Sequence, residues 1–214
     1  MTSFSRPSPN DILLVVDIQR DFLRGGALAV PEGDQIIALV NRLAYGFPHV
    51  VLTQDWHPHD HRSFASSHPG HKPFDNVRMS YGMQTLWPDH CVQGSEGAAF
   101  DPSLDIPHAE LVVRKGFRRE IDSYSAFFEN DRRTRTGLAG YLHERGFRRV
   151  FLCGLAFDYC VRWSAEDARH LGFDVVVIED ACRAINLEGS LVAARGAMIQ
   201  AGVEIMRSAM LGAA

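Results

Sequence analysis

Cys160 is the first residue to weigh as a catalyst. It stands in Gly154-Leu155-Ala156-Phe157-Asp158-Tyr159-Cys160, between an apolar run at Val150 to Cys153 and a helical segment from Asp158 to Leu171. Asp158 is read as the cap of that helix, which puts Cys160 in its first turn. Unpaired N–H groups there stabilise a thiolate and lower the thiol pKa. The competing reading is a small buried core residue, which is how Cys153 and Cys182 are read. Asp17 ends the run Ile12 to Val16, and Lys115 follows Leu111 to Val113. A carboxylate can take a thiol proton, and a nearby ammonium favours the thiolate. Without the cysteine, Asp17 and Lys115 would read as a structural ion pair. The small residues of the loop ahead of Cys160 let backbone N–H groups face a substrate oxygen, as in an oxyanion hole.

A second group could hold a metal. In Asp55-Trp56-His57, residues two apart in extended backbone point the same way, so both side chains can reach one ion. A third ligand must come from elsewhere, and His61 and His90 are the candidates. Six of the ten histidines lie between His57 and His90. A mixed carboxylate and imidazole set suits zinc, iron or manganese. Surface histidines in a polar loop are the alternative.

The elements that position these groups alternate. Short apolar runs at Ile12–Val16, Val50–Thr53, Leu111–Val113, Val150–Cys153, Val175–Ile178 and Val203–Met206 read as six buried strands. Helical spacing appears at Asp34–Ala44, Leu138–Leu142, Asp158–Leu171 and Leu191–Ile199. This order predicts a three-layer α/β/α fold around a central, mostly parallel six-stranded sheet. In such sheets ligands sit outside the carboxyl ends of the strands, where Asp17, Asp55, His57, Lys115 and Cys160 converge. Trp56 to Pro107 breaks the rhythm and is rich in His, Pro, Gly and Ser. The chain is read as one domain over residues 1–214, with a loop-rich, metal-binding insertion at about 56–107.

Composition narrows the function classes. The 214 residues carry a net charge of −4 and no basic stripe, which argues against a nucleic-acid partner. No apolar stretch is long enough for a membrane span, and the polar start lacks the apolar core of a signal peptide. Four cysteines without C-x-x-C spacing suit a reduced, cytoplasmic protein. There is no G-x-S-x-G elbow, no P-loop and no G-x-G-x-x-G after the first strand. Trp163 and the helices around it offer a surface for a homo-oligomer.

Five segments together carry a resemblance: VVDIQRDFLRGGALAV at 15–30, TQDWHPHDHRSFASSHPG at 53–70, WPDHCVQGSEGA at 87–98, KGFRREIDSYSAFFEN at 115–130 and GLAFDYCVRWSAEDA at 154–168. In this order they resemble the nicotinamidases (pyrazinamidases) of the isochorismatase-like cysteine hydrolase superfamily. The resemblance implies a catalytic Asp17, Lys115 and Cys160. It implies one divalent metal ion, zinc ahead of iron or manganese, on Asp55, His57 and His90, with His61 at a position that ligates in some relatives. It implies a cis peptide before Ala156, an oxyanion hole at the N–H groups of Ala156 and Cys160, and pocket walls at Phe22, Leu28, Trp87 and Tyr124. The expected reaction is hydrolysis of nicotinamide to nicotinate and ammonia through a cysteine thioester in NAD salvage, with pyrazinamide as a further substrate. Phe157 stands where relatives often have Thr, which puts the pocket's substrate scope in question. The rival readings are another hydrolase of this superfamily, acting on isochorismate, an N-carbamoyl compound or a different small amide, and a non-catalytic binding protein.

Overall fold

The computed structural model describes residues 7–211. Six strands form one sheet: β1 (Asp11–Val16), β2 (Val50–Asp55), β5 (Leu111–Lys115), β6 (Arg149–Leu155), β7 (Asp174–Arg183) and β8 (Glu204–Met206). Their spatial order is β5-β2-β1-β6-β7-β8, and every neighbouring pair is parallel. All six residues of β1 and of β2 are buried, so both faces of the sheet centre are covered. That is why these strands read as continuous rather than alternating apolar runs. The connecting helices are α1 (Ile37–Tyr45), α2 (Leu138–Glu144), α3 (Arg162–His170) and α4 (Ser190–Gln200). Leu138 and Leu142 of α2, for instance, meet Ile12, Leu14, Val51 and Val150 on one face.

From β1 the chain steps outward to β2 and β5, then returns to the other side of β1 for β6, β7 and β8. The strand order therefore reverses between β1 and β6. A crevice opens at the carboxyl ends of such a pair, and it is where ligands bind in open α/β sheets. Asp17 leaves β1 there and Cys160 follows β6.

Several elements differ from the sequence reading. The helix expected over Asp34–Ala44 begins as a 3-10 turn, Gly33–Ile36, before α1. β7 runs on past Ile178 through the polar pair Glu179-Asp180 to Arg183, so Cys182 lies inside a strand. Its far end stays paired, Gly154 opposite Cys182 and Leu155 opposite Arg183, after a register shift at Leu152/Gly154. The 56–107 segment holds an antiparallel hairpin, β3 (Asn76–Met79) with β4 (Gly82–Thr85), that no apolar run announced. No helix among the described residues is long and apolar enough to cross a membrane. Trp163 is flanked by the guanidinium groups of Arg132 and Arg162, 4.8 and 4.9 Å from its ring centre.

Candidate active site

Asp17 is the residue at which β1 turns out of the sheet. Its φ of 50° lies in the left-handed region, which an aspartate adopts far less readily than a glycine. Thr53 of β2 holds it there. The Asp17 N–H donates to Thr53 Oγ1 at 3.2 Å, and that hydroxyl donates back to Asp17 Oδ1 at 2.6 Å. The other oxygen, Oδ2, faces Lys115 Nζ at 2.8 Å.

Lys115, the last residue of β5, is wholly buried and is the centre of the site. Its ammonium donates to Asp55 Oδ1, to the Ser123 carbonyl at 3.2 Å and to Cys160 Sγ at 3.3 Å. Burial works against the charge, but Asp17 and Asp55 outweigh it and hold the amine well above the ordinary lysine value. Carboxylate oxygens of Asp17 and Asp55 lie within 4.8 Å of the Cys160 sulfur. The structure thus brings Asp17, Lys115 and Cys160 into one buried cluster from three strand ends.

Cys160 does not sit as the sequence reading expected. The segment Phe157–Val161 is a π-helical turn that leads into α3, and Asp158 does not cap it. The Asp158 carboxylate instead accepts from the N–H of Ile185 at 3.0 Å, the N–H of Asn186 at 2.7 Å and the Ser190 hydroxyl. The expected lowering of the thiol pKa is reversed as well. Burial first, then the charges of Asp17 and Asp55, push the Cys160 thiol well above its ordinary value against the pull of Lys115. At rest Cys160 is a neutral thiol beside a base. Burial also keeps Asp17 above the usual carboxylate range, with the Asp55 charge adding to it and Lys115 opposing. The peptide bond from Leu155 to Ala156 is cis. Ala156 and Cys160 both border the pocket in front of the sulfur.

The second cluster adjoins the first through Asp55. Gln19 clamps the Asp55 backbone from both sides, donating to its carbonyl at 2.8 Å and accepting from its N–H at 2.8 Å. Oδ1 of Asp55 belongs to Lys115, which leaves Oδ2 facing His57 Nε2 at 3.6 Å and His90 Nε2 at 3.8 Å. The two imidazoles come together because residue 57 pairs with the 91–93 backbone: the His57 N–H donates to the Cys91 carbonyl and the Gln93 N–H to the His57 carbonyl. Burial would raise the Asp55 carboxyl, but Lys115 and His57 hold it well below the usual range.

The donor set passes a direct test of fit for a divalent cation. His57 donates Nδ1–H to the Gly116 carbonyl at 2.8 Å, and His90 donates Nδ1–H to the Pro88 carbonyl at 2.8 Å. A carbonyl can only accept, so in the neutral rings both Nε2 atoms carry lone pairs; burial disfavours a charge on His57, but Asp55 outweighs it and raises that ring's pKa. Two lone pairs and a carboxylate oxygen face one point at ligand-to-ligand spacing, with the outer nitrogens fixed as ligating histidines require. Gly116 is part of this arrangement: at φ 66°, a Cβ there would lie 2.3 Å from His57 Cε1.

His61 is placed differently. Its Nδ1 meets the Ser63 hydroxyl at 2.7 Å and its Nε2 the Ile121 carbonyl at 3.3 Å. It groups with His57 and Asp122, not with Asp55 and His90. Burial, then the neighbouring His57, lower its pKa to about 4.

In front of the sulfur lies a partly open pocket. Phe22, Leu28, Trp87 and Tyr124 all line it, with Asp55, His90, Ala156 and Cys160. Trp87 Nε1–H donates to Tyr124 Oη at 3.1 Å, which fixes the two rings 81° apart. Phe157 is buried but is not part of the wall, so its bulk is absorbed by the core.

The chain matches the isochorismatase domain model over residues 11–210. It is 54% identical over 199 residues to the nicotinamidase of Acinetobacter baylyi, covering 93% of each chain. Among solved structures it superposes on the Acinetobacter baumanii nicotinamidase/pyrazinamidase with a TM-score of 0.93 at 53% identity, over 94% of this chain and 97% of that one. It superposes on the Pyrococcus horikoshii pyrazinamidase in complex with zinc with a TM-score of 0.75 at 37% identity, over 93% and 99%. The chain belongs to the isochorismatase domain family.

Within this isochorismatase domain, sequence reasoning passed over four residues. Asp122, Tyr159 and Ile185 also line the pocket. Gln84, from the unannounced hairpin, is buried and donates to Asp122 Oδ2 and to Tyr124 Oη, each at 2.9 Å. All four lie outside the strand ends, and only tertiary packing brings them to the site.

Proposed function

We propose that the chain is a nicotinamidase, hydrolysing nicotinamide to nicotinate and ammonia by way of a Cys160 thioester, with pyrazinamide as a second substrate. The observation that carries this reading is the junction of the two clusters. A thiol with its own buried base and ammonium shares Asp55 with a cation site, and both face one flat, aromatic-walled pocket. The curated relatives supply the substrate; the geometry supplies a route.

The ring lies between Phe22, Trp87 and Tyr124, held by offset and edge contacts. Asp17 Oδ2 takes the proton of Cys160 Sγ, and the sulfur forms a bond to the carboxamide carbon. The carbonyl electron pair moves onto oxygen, which rests against the N–H groups of Ala156 and Cys160. One such donor typically contributes about 2.7–4 kcal/mol to transition-state stabilisation. Asp17 returns the proton to the nitrogen, the C–N bond breaks and ammonia leaves. Water then adds to the thioester carbon, with Asp17 taking its proton, and collapse releases nicotinate and restores the thiol. Lys115 keeps its proton throughout and offsets the negative charge as it moves from Asp17 to sulfur. Asp55, His57 and His90 would hold a divalent cation, which supplies a Lewis-acidic point for the ring nitrogen when bound. Two imidazoles and a carboxylate suit zinc first. The setting is cytoplasmic NAD salvage.

The deciding experiment is ammonia release from nicotinamide by purified, zinc-loaded protein, with nicotinate identified as product. Release in step with nicotinate supports the reading. Folded, zinc-loaded protein that leaves nicotinamide intact overturns it.

A further inference from the structure

The hairpin β3–β4 reaches the site through a single side chain. Of residues 71–85, only Gln84 is buried, at 1% exposed. A two-stranded hairpin has little stability of its own in water, and an apolar side chain would be its ordinary anchor. This one is an amide with both polar atoms engaged. Nε2 meets the Thr85 carbonyl at 2.8 Å, and Asp122 Oδ2 and Tyr124 Oη at 2.9 Å each. Oε1 accepts from the Tyr81 hydroxyl at 3.1 Å and from Asn130 Nδ2 at 3.2 Å. Asn130 fixes which way the amide faces. Its Oδ1 accepts from the Tyr124 main-chain N–H at 3.0 Å, and an N–H can only donate. The Asn130 nitrogen therefore faces Gln84 Oε1, and Gln84 turns Nε2 to the phenol. The phenol oxygen accepts twice, from Gln84 and, at 3.1 Å, from Trp87 Nε1–H. Tyr124 and Trp87 line the pocket, whereas Gln84 does not. The same segment meets the wall a second time. Phe74 sets its ring 6.1 Å from that of Trp87 at 88°, on a backbone φ of 75° that a bulky residue rarely adopts.

We propose that Gln84 is a positioning residue for the ring-binding pocket, acting through the Tyr124 hydroxyl to hold the Tyr124–Trp87 wall in the geometry that grips the substrate ring. This rests on the nicotinamide reading above. One donor alone leaves the phenol oxygen a pivot; two fix it in place. In that reading the ring lies against Tyr124 while the carboxamide lies at Cys160. A loosened phenol thus weakens the bound ground state and the transition state alike, which raises KM and leaves kcat. An anchor that only holds the hairpin in place would lower thermal stability without this split.

The test compares wild type, Gln84→Met, Tyr124→Phe and the double variant in steady-state ammonia release from nicotinamide at saturating zinc. Gln84→Met keeps the length of the side chain and removes its amide. It is expected to raise KM about 3- to 10-fold, the size of one neutral hydrogen bond, with kcat within about twofold of wild type. In the Tyr124→Phe background the same substitution should change KM by less than about twofold, because the oxygen it acts on is gone. Gln84→Asn draws the amide back by one methylene and should match Gln84→Met in KM; it carries the test where Gln84→Met does not fold. An unchanged KM overturns the proposal. So does a KM rise of equal size in both backgrounds, or a fall in kcat at constant KM. A second readout needs no substrate. The Trp87 Nε1–H proton resonance, assigned by its loss in Trp87→Phe, should move in Gln84→Met, and a fixed resonance overturns the proposal as well. Wild type that leaves nicotinamide intact strikes the functional reading, and the resonance then still tests Gln84.

Discussion

The Nζ of Lys115 stands 3.3 Å from the Sγ of Cys160, yet Cys160 is held as a thiol and not as a thiolate. Burial and the two carboxylates that share the same ammonium outweigh it. The nucleophile must therefore be made at the moment of reaction, and Asp17 is the group placed to make it. Asp17→Asn separates two effects that usually move together. Removing the Asp17 charge leaves only burial and Asp55 working against Lys115 at the sulfur, so the Cys160 pKa falls. Removing the proton acceptor lowers kcat by roughly 10²–10⁴-fold. Thiolate absorbance in the ultraviolet, titrated against a Cys160→Ala control, reads the first, and steady-state ammonia release reads the second. A variant with an unchanged thiol pKa and near-normal kcat would remove Asp17 from the mechanism.

Cys160→Ala tests the nucleophile itself. Turnover should fall by at least about 10⁴-fold, as for nucleophile deletions in other covalent hydrolases. Zinc content should stay at the wild-type level, because Cys160 touches Lys115 and not the imidazoles. Nicotinate affinity, measured by calorimetry, should change little, since the aromatic walls remain. Retained turnover would move the chemistry to another group.

Gly116→Ala tests the cation site from a residue that ligates nothing. The added Cβ would lie 2.3 Å from His57 Cε1, so the ring must move away from Asp55 and His90. The left-handed φ of 66° adds a backbone penalty of roughly 1–2 kcal/mol for any residue with a Cβ. The expected result is substoichiometric zinc by elemental analysis together with a lower melting temperature. A variant that melts lower yet binds zinc at full stoichiometry would show that the His57 ring position is not what the ion requires.

The parts legible in the sequence are those written in local pattern. β1, β2 and β6 are buried on both faces and read as apolar runs, and their ends can be read for polar residues. Asp17, Asp55, Lys115 and Cys160 are legible in this way, as polar residues at or just beyond strand ends. β3 and β4 are four residues each and carry no buried apolar run, so their pairing leaves no periodic signal. The far half of β7 was hidden because Glu179 and Asp180 interrupt the apolar run while the ladder continues. Asp158 looked like a helix cap because type and position matched, but three donors from the Ile185–Ser190 segment compete for its carboxylate. The Cys160 pKa could not be read from helix position, because its largest cause is burial, a property of the finished fold.

Glu129 carries the pH dependence of stability that is easiest to isolate. It is 2% exposed; Oε1 accepts from Arg118 Nε at 2.9 Å, while Oε2 has no hydrogen-bond partner. Burial, opposed by Arg118, raises its pKa from 4.5 to about 7. The sign follows from linkage. A raised carboxyl pKa means that the fold prefers the protonated form. Its favourable contribution is fully present below the unfolded value and is lost as pH rises through the folded one. Glu129→Gln keeps an acceptor for Arg118 and removes the ionisation. Near pH 5 it should melt close to wild type, and near pH 8 it should be more stable by on the order of 1–3 kcal/mol. For a chain of this length that is a rise of several degrees in Tm. Thermal melts of both proteins at the two pH values decide it. An equal shift at both would mean that the substitution acts through packing or the Arg118 contact, and that Glu129 does not titrate in this range.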